Sequence, residues 1–350
     1  GIDMKAAIFK ELGKPLDIGE VPKPEVKENE VLMKVKAAAI CIDDIYSIKG
    51  ERPLKLPHIM GHEAAGVVSD VGSAVRKFKP GDRILGNAIV TCKECYYCKR
   101  GLEQVCENHK IIGTDSGTQG AFAEYYKLPS ENIYHLPEEI PFDQATVITS
   151  PLASAYHGVR VADIQKGNAV VVYGGGAIGY HAMLGAMTYE GVRVFMVDTV
   201  DEKLELAKKA GAAAVINAEQ EDPVDAVRRL TEGRGAAVAI EAVGLPKTVN
   251  QAILSLRKAG SAVLMGAPWE KIVFEFEDYR KDFLFKELKI CSSITNRKDE
   301  MEPLIELVKT KKIDLSRSIS LTLPFDKIND GIEIVRNNVG NPIRVVMKFD

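Results

Sequence analysis

A strand that runs straight into closely spaced glycines constrains this chain more than any other feature. Residues Ala169 to Tyr173 form a short apolar run, and Gly174-Gly175-Gly176-Ala177-Ile178-Gly179 follows it directly. The G-x-G-x-x-G spacing serves three tasks: a tight turn, approach of the backbone to a pyrophosphate, and close packing of a helix on its strand. Ala177 and Ile178 open that helix, whose first N–H groups have no intrahelical acceptor and can bind phosphate oxygens. Nineteen residues beyond Gly179 the next strand ends in Asp198. A carboxylate there accepts hydrogen bonds from ribose hydroxyls and repels the extra phosphate of NADP. NAD is therefore the expected cofactor, bound by Gly174, Gly176, Ala177, Ile178, Gly179 and Asp198, with Lys203 within reach of the same ribose.

Around that turn, strand-like and helical stretches alternate. Ala169 to Tyr173 precedes a helix over Ile178 to Tyr189, Arg193 to Val197 one over Glu202 to Ala210, and Ala213 to Ile216 one over Val224 to Thr231. Ala237 to Glu241, a helix over Lys247 to Arg257 and a strand over Ala262 to Met265 continue the series. This alternation predicts a doubly wound parallel sheet. Before it, β-rich runs at Val31 to Ala39, Ala65 to Val71 and Ala121 to Lys127 are broken by Gly and Pro and predict an irregular, mostly antiparallel domain. After it, helices over Glu300 to Thr310 and Phe325 to Asn337 and a strand over Arg344 to Phe349 suggest that the chain returns to the first domain. The fold class is α/β: a mostly-β domain plus a doubly wound Rossmann domain.

Composition narrows the function. With 350 residues, 46 basic and 49 acidic side chains and a net charge of −3, no electrostatic grip on nucleic acid is expected. No apolar stretch is long enough to span a membrane, and the opening residues lack the order of a signal peptide. A cytoplasmic protein is expected, with Gly1, Ile2 and Asp3 preceding the native start at Met4.

Cys92, Cys95, Cys98 and Cys106 form C-x₂-C-x₂-C-x₇-C, which places four of the six cysteines within fifteen residues. Four thiolates close a tetrahedral shell around zinc and leave no position for substrate, so this is expected to be a structural site, with iron–sulfur ligation as its competitor. Cys291 is expected to be a small core residue. Cys41, in Ala39-Ile40-Cys41-Ile42-Asp43-Asp44, and His62, in Gly61-His62-Glu63, are weak signals one at a time.

In combination these elements resemble the zinc-containing medium-chain dehydrogenases, the alcohol and polyol dehydrogenase family. The resemblance spans nearly the whole chain. It rests on Cys41 with Asp44, Gly61-His62-Glu63 with Gly66, Gly81-Asp82-Arg83, the four-cysteine lobe, Gly120-Ala121-Phe122-Ala123-Glu124, and the glycine turn with Asp198. It implies a GroES-like catalytic domain over residues 1–153 and 294–350, carrying the structural-zinc lobe 91–107, and a Rossmann domain over 154–293. It also implies an active-site cleft between them, and homodimers or homotetramers that pair through the stretch Ile272 to Ile290.

By the same resemblance, Cys41 and His62 would ligate a catalytic zinc, Glu63 would stand beside it, Asp44 would orient the ligands, and Arg344 would contact the cofactor diphosphate. The chain departs from the family at three places. Asp43 stands where Ser or Thr is usual, Tyr46 where many members have a relay histidine, and Ser150 where a third ligand, Cys or Glu, precedes Pro-Leu. A neutral serine is a poor zinc ligand. A carboxylate is therefore expected to complete the shell, Glu63 in preference to Asp43, and Asp43 and Tyr46 are candidates for handling the substrate proton. Of the remaining histidines, His157 is the one expected to border the cleft, while His58, His109, His135 and His181 are expected to pack or face solvent. Trp269 is expected to anchor an interface or core.

The expected activity is zinc-assisted, NAD-dependent hydride transfer between the cofactor and a small-molecule alcohol, a secondary one by preference, or a polyol, and the corresponding carbonyl compound. A zinc-independent quinone or enoyl reductase and a zinc-bearing binding module are the alternatives.

Overall fold

The computed structural model describes residues 3–267 and 270–350. Trp269 lies outside the described residues. The chain divides into two units, Gly1–Ser150 with Met301–Lys309 and Ser318–Asp350, and Pro151–Glu300 with Thr310–Arg317. The breaks fall at Ser150 and Glu300, and the short segment Thr310–Arg317 joins the second unit. There Asp314 and Arg317 lie within electrostatic reach of Tyr180, whose phenol burial pushes up to about 12.

The first unit opens with the antiparallel pair β1 (Asp3–Ile8) and β2 (Asp17–Pro22), so Asp3 is part of a strand. Then come β3 (Glu30–Ile40), α1 (Ile42–Ile48), β4 (Glu63–Val71), β5 (Arg83–Asn87), β6 (Ile89–Val90), β7 (Lys110–Ile111), β8 (Tyr125–Pro129), β9 (Ile133–His135) and α2 (Phe142–Val147). The second unit runs α3 (Ala153–Val161), β10 (Ala169–Tyr173), α4 (Ala177–Ala186), β11 (Arg193–Asp198), α5 (Asp201–Lys209), β12 (Ala214–Asn217), α6 (Pro223–Leu230), β13 (Ala236–Glu241), α7 (Pro246–Leu254), β14 (Leu256–Leu264), α8 (Tyr279–Asp282) and β15 (Lys289–Ser292). α9 (Met301–Lys309), β16 (Leu321–Pro324), α10 (Ile328–Arg336) and β17 (Val345–Lys348) return to the first.

The first unit is built on a sheet in the order β16-β17-β3-β4-β5-β9, with β8 also on β3. Its central strand shows how local sequence sets the core. Met33 and Val35 enter the main core, as do Ala38 and Ile40, although a regular strand would send the two pairs to opposite faces. The register against β4 slips between Val35 and Ala37. This bulge at Lys36 restores the inward face, leaving Ala37 and Ala39 to pack with Phe142 on the other side. The expected strand over Ala121 to Lys127 begins only at Tyr125. The residues before it are committed elsewhere, with Ala121 N–H on Gly61 O and Phe122 N–H on Met60 O.

The second unit contains a six-stranded parallel sheet in the order β12-β11-β10-β13-β14-β15. Its inner strands are buried on both faces, which is why Val170 to Val172 and Ala236 to Ile240 read as continuous apolar runs. The strand order reverses between β10 and β13, and the crevice beyond their C-terminal ends is where such sheets bind nucleotides. The helix expected to reach Arg257 stops at Leu254, because Leu256 pairs with Ala236 and becomes the start of β14. No helix among the described residues is long and apolar enough to cross a membrane.

Candidate active site

Antiparallel register gathers residues far apart in sequence. Val345 of β17 lies opposite Ile40 of β3, and Ala39 lies opposite Glu63 of β4. Arg344, Cys41, His62 and Glu63 therefore meet at one end of the sheet, although 303 positions separate Cys41 from Arg344.

Cys41 follows the last residue of β3 and is the N-cap of α1. Its N–H donates to Asp44 Oδ2 at 2.9 Å, and Asp44 is 1% exposed. Burial raises the Asp44 carboxyl to about 6, and the neighbouring His62 works against that rise. Asp44 Oδ1 also lies 3.9 Å from His62 Nδ1, which Thr114 Oγ1 approaches to 3.2 Å. One edge of the imidazole is thus fixed, while Nε2 on the other edge lies 3.8 Å from Glu63 Oε1.

Glu63 is completely buried, and its two oxygens accept from Arg344 Nε and Nη2 at 2.9 Å each. This parallel fork is the strong form of an arginine–carboxylate pair. Burial alone would lower the Arg344 pKa, but Glu63 and Cys41 hold it well above its ordinary value. Arg344 Nη2 also lies 3.8 Å from Cys41 Sγ. Burial raises the Cys41 thiol strongly, and Glu63 adds to the rise. The structure thus puts Arg344, expected on a cofactor diphosphate, beside Cys41 and Glu63.

Cys41, His62 and Asp43 each offer a ligand atom, and those atoms all lie within 4.8 Å of one another. Zinc bonds of about 2.0 to 2.3 Å need donors roughly 3.3 to 3.8 Å apart. The trio can close on such an ion with small side-chain movements, and its donors, a thiol, an imidazole and a carboxylate, suit zinc. Asp43 and Tyr46 are half-buried on the first turns of α1. Ser150 ends the stretch before Pro151 in extended conformation, φ −165° and ψ 130°, as expected for a residue that precedes proline.

In the four-cysteine lobe all Sγ atoms also lie within 4.8 Å of one another. The N–H groups of Cys92, Cys95 and Cys98 point at Cys106, Cys92 and Cys95 sulfurs at 3.3, 3.4 and 3.5 Å. Backbone N–H donors lower Cys95 to about 6, whereas burial and the adjacent thiols push Cys98 up to about 12. A tetrahedral zinc with sulfur bonds of about 2.3 Å fits this set, and amide donors to the sulfurs favour thiolates. The pair β6 and β7 closes the base of the lobe.

In the second unit, Gly174 adopts φ +97°. A Cβ on Gly179 would fall 1.7 Å from Gly174 O, so helix α4 can approach the turn only with glycine there. Asp198 Oδ2 accepts from Gly175 N–H at 2.7 Å, and Oδ1 from Thr199 and Val200 N–H at 2.8 and 3.0 Å. These bonds aim the carboxylate at the glycine turn, and Lys203 Cβ would lie 3.3 Å from a Cβ on Gly175. His157, buried on α3, bonds both oxygens of Glu300 through Nδ1 at 3.0 Å. His58 and His181 are buried, with backbone carbonyl partners.

Sequence reasoning missed Thr114, Arg52 and Asp115. Arg52 lies 3.8 Å from Asp43 and 3.3 Å from Asp115. All three occupy loops without spacing or periodicity, and only tertiary folding brings them to the cluster.

A family model described as the alcohol dehydrogenase GroES-like domain matches residues 27–138, and one described as zinc-binding dehydrogenase matches residues 177–310. An L-threonine 3-dehydrogenase of Bacillus velezensis is 32% identical over 342 residues, covering 96% of each chain. A zinc-binding dehydrogenase of Sinorhizobium meliloti 1021 bound to NADP has a TM-score of 0.91 at 30% identity, covering 100% of both chains. A short chain alcohol dehydrogenase of Escherichia coli CFT073 complexed with NADH has a TM-score of 0.89 at 28% identity, again covering 100% of both chains.

Proposed function

The chain belongs to the zinc-containing medium-chain dehydrogenases, and from that premise we propose that it oxidises a secondary alcohol or polyol with NAD, with zinc held by Cys41, His62 and Asp43. The observation that carries this reading is the approach of those three side chains to within 4.8 Å of one another. When bound, zinc supplies Lewis acidity toward the substrate oxygen and the nicotinamide ring accepts hydride.

The residues of this chain do the rest. Asp43 is preferred to Glu63: one thiolate and one carboxylate balance a divalent ion, and whereas Arg344 holds both oxygens of Glu63 at 2.9 Å, Arg52 stands 3.8 Å from Asp43 and is shared with Asp115. Asp44 and Thr114 hold the His62 ring in one orientation. Tyr46, three positions along α1 from Asp43, is the group assigned to pass the hydroxyl proton toward solvent. The glycine turn receives the pyrophosphate, Asp198 and Lys203 the ribose.

Zinc analysis tests the metal assignment. Wild-type protein should hold two zinc ions per chain, Asp43→Asn one, and Glu63→Gln two. If Glu63→Gln loses an ion while Asp43→Asn keeps both, Glu63 is the ligand. A wild-type count of one, with full NAD-linked activity, would place the protein among zinc-independent reductases.

Cofactor preference follows from Asp198. A carboxylate a few ångströms from the extra phosphate of NADP should make kcat/KM at least about tenfold higher with NAD. Asp198→Asn, which keeps the shape and removes the charge, should narrow that ratio. Faster turnover with NADP in the wild type would refute this role.

A further inference from the structure

Arg52 is charged, stands beside the proposed reaction centre and has no part in the reaction as described. Its two Nη atoms lie 3.8 Å from Asp43 Oδ2 and 3.3 Å from Asp115 Oδ1, and its side chain is 34% exposed. Asp115 is equally open on that side but anchored behind, where Oδ2 accepts from Ile111 N–H at 2.6 Å. The residue before it, Thr114, touches His62. Arg52 and Asp115 therefore border the cluster of Cys41, His62 and Asp43, joined by their own hydrogen bond and each about a third exposed to solvent.

We infer that Arg52 and Asp115 are specificity-determining residues that select a neutral vicinal diol, holding the second hydroxyl of a substrate whose first hydroxyl is oxidised. The inference rests on the dehydrogenase reading above.

With Asp43 committed to the metal, Arg52 and Asp115 form a pair with no net charge. A guanidinium only donates hydrogen bonds, and a carboxylate only accepts them. A hydroxyl does both, so it can accept from Arg52 and donate to Asp115 at once. A carboxylate substituent on the substrate would be repelled by Asp115, and an ammonium by Arg52. An alkyl substituent would displace water from two charged groups and return no hydrogen bond. Among these substituents, only the neutral hydroxyl satisfies both partners.

The test compares kcat and KM for isopropanol, propylene glycol, lactate and isopropanolamine, which share a secondary carbinol and differ in the adjacent group. Wild-type protein should favour propylene glycol over isopropanol about tenfold to a hundredfold in kcat/KM, the range expected for a hydrogen bond to charged groups. Arg52→Gln and Asp115→Asn should each bring that ratio toward one, chiefly through KM for the diol. Arg52→Lys, which keeps the charge without the planar fork, should recover part of it. Melting curves and zinc counts establish that each variant is folded and loaded. A wild-type ratio near one, a ratio that neither variant moves, or faster turnover of lactate or isopropanolamine than of the diol would overturn the inference. Absence of turnover with all four, in zinc-replete protein that binds NADH, would overturn the inference, and only a lack of turnover across a broad panel of secondary alcohols and polyols would count against the dehydrogenase reading itself.

Discussion

Cys98→Ser is expected to lower the zinc content by one ion per chain, to depress Tm markedly, and to open residues 91–107 to proteases. Over that stretch only Thr91, Cys95 and Cys106 are buried, so the lobe has no apolar core of its own. Its order is therefore expected to come from zinc on the four sulfurs, and structural zinc in small peptides contributes about 10 to 16 kcal/mol of apparent binding free energy near neutral pH. Losing one of four thiolates removes much of that. The two-strand neck of β6 and β7 is too short to hold the nineteen residues between its strands by backbone bonds alone. Atomic absorption together with limited proteolysis reads the outcome directly. A variant with wild-type zinc content, melting and protease resistance would show that the four sulfurs are not a zinc site.

The second large effect is expected from Arg344→Met. The substitution strands Glu63, a fully buried carboxylate whose two oxygens both accept from the guanidinium. Removing one partner of a buried ion pair costs about 3 to 5 kcal/mol, because the remaining charge is left without compensation. For a folding unit of this size the loss corresponds to a fall in Tm of roughly 10 °C. Replacing both members, Arg344→Met with Glu63→Leu, should recover most of it, since the charge that needed compensation is gone. Differential scanning calorimetry of the two variants separates the pair from ordinary packing. A single variant that melts within a degree or two of wild type would mean that Glu63 is compensated by something other than Arg344.

Much of the architecture was legible because its signals are periodic. The strand-to-helix alternation from Ala169 onward, the glycine turn and the acid at Asp198 lie within one contiguous stretch, so their geometry follows from local rules. β14 was read too short for a tertiary reason: Leu256 joins the sheet through Ala236, a partner the helical pattern of Lys247 to Arg257 does not reveal. At the candidate metal sites, the cysteine lobe was legible in its own spacing, and Cys41 with His62 through the resemblance. The partner of Glu63 was not, because Arg344 lies 281 positions away and is brought to it only by the register of β17 against β3. Asp43 stood out only as a departure from the family pattern. Its preference over Glu63 became arguable once Arg344 was seen to neutralise Glu63. Arg52 and Asp115 gave no signal, since two charged loop residues, 63 positions apart, read as solvated surface until the fold joins them.

The long separation between Glu63 and Arg344 also bears on how the molecule comes into being. At a synthesis rate of about 5 to 20 residues per second, the 281 intervening positions take roughly 15 to 60 s to emerge. Mixed α/β domains of moderate contact order fold in milliseconds to seconds, so the parallel-sheet unit, most of it contiguous, can assemble on the ribosome while the first sheet waits. During that interval β3 has an unpaired edge where β17 will dock, and Glu63 must remain hydrated, which keeps that end of β4 from closing. The nascent first unit thus carries an open strand edge, and the arrival of β17 is the event that closes it.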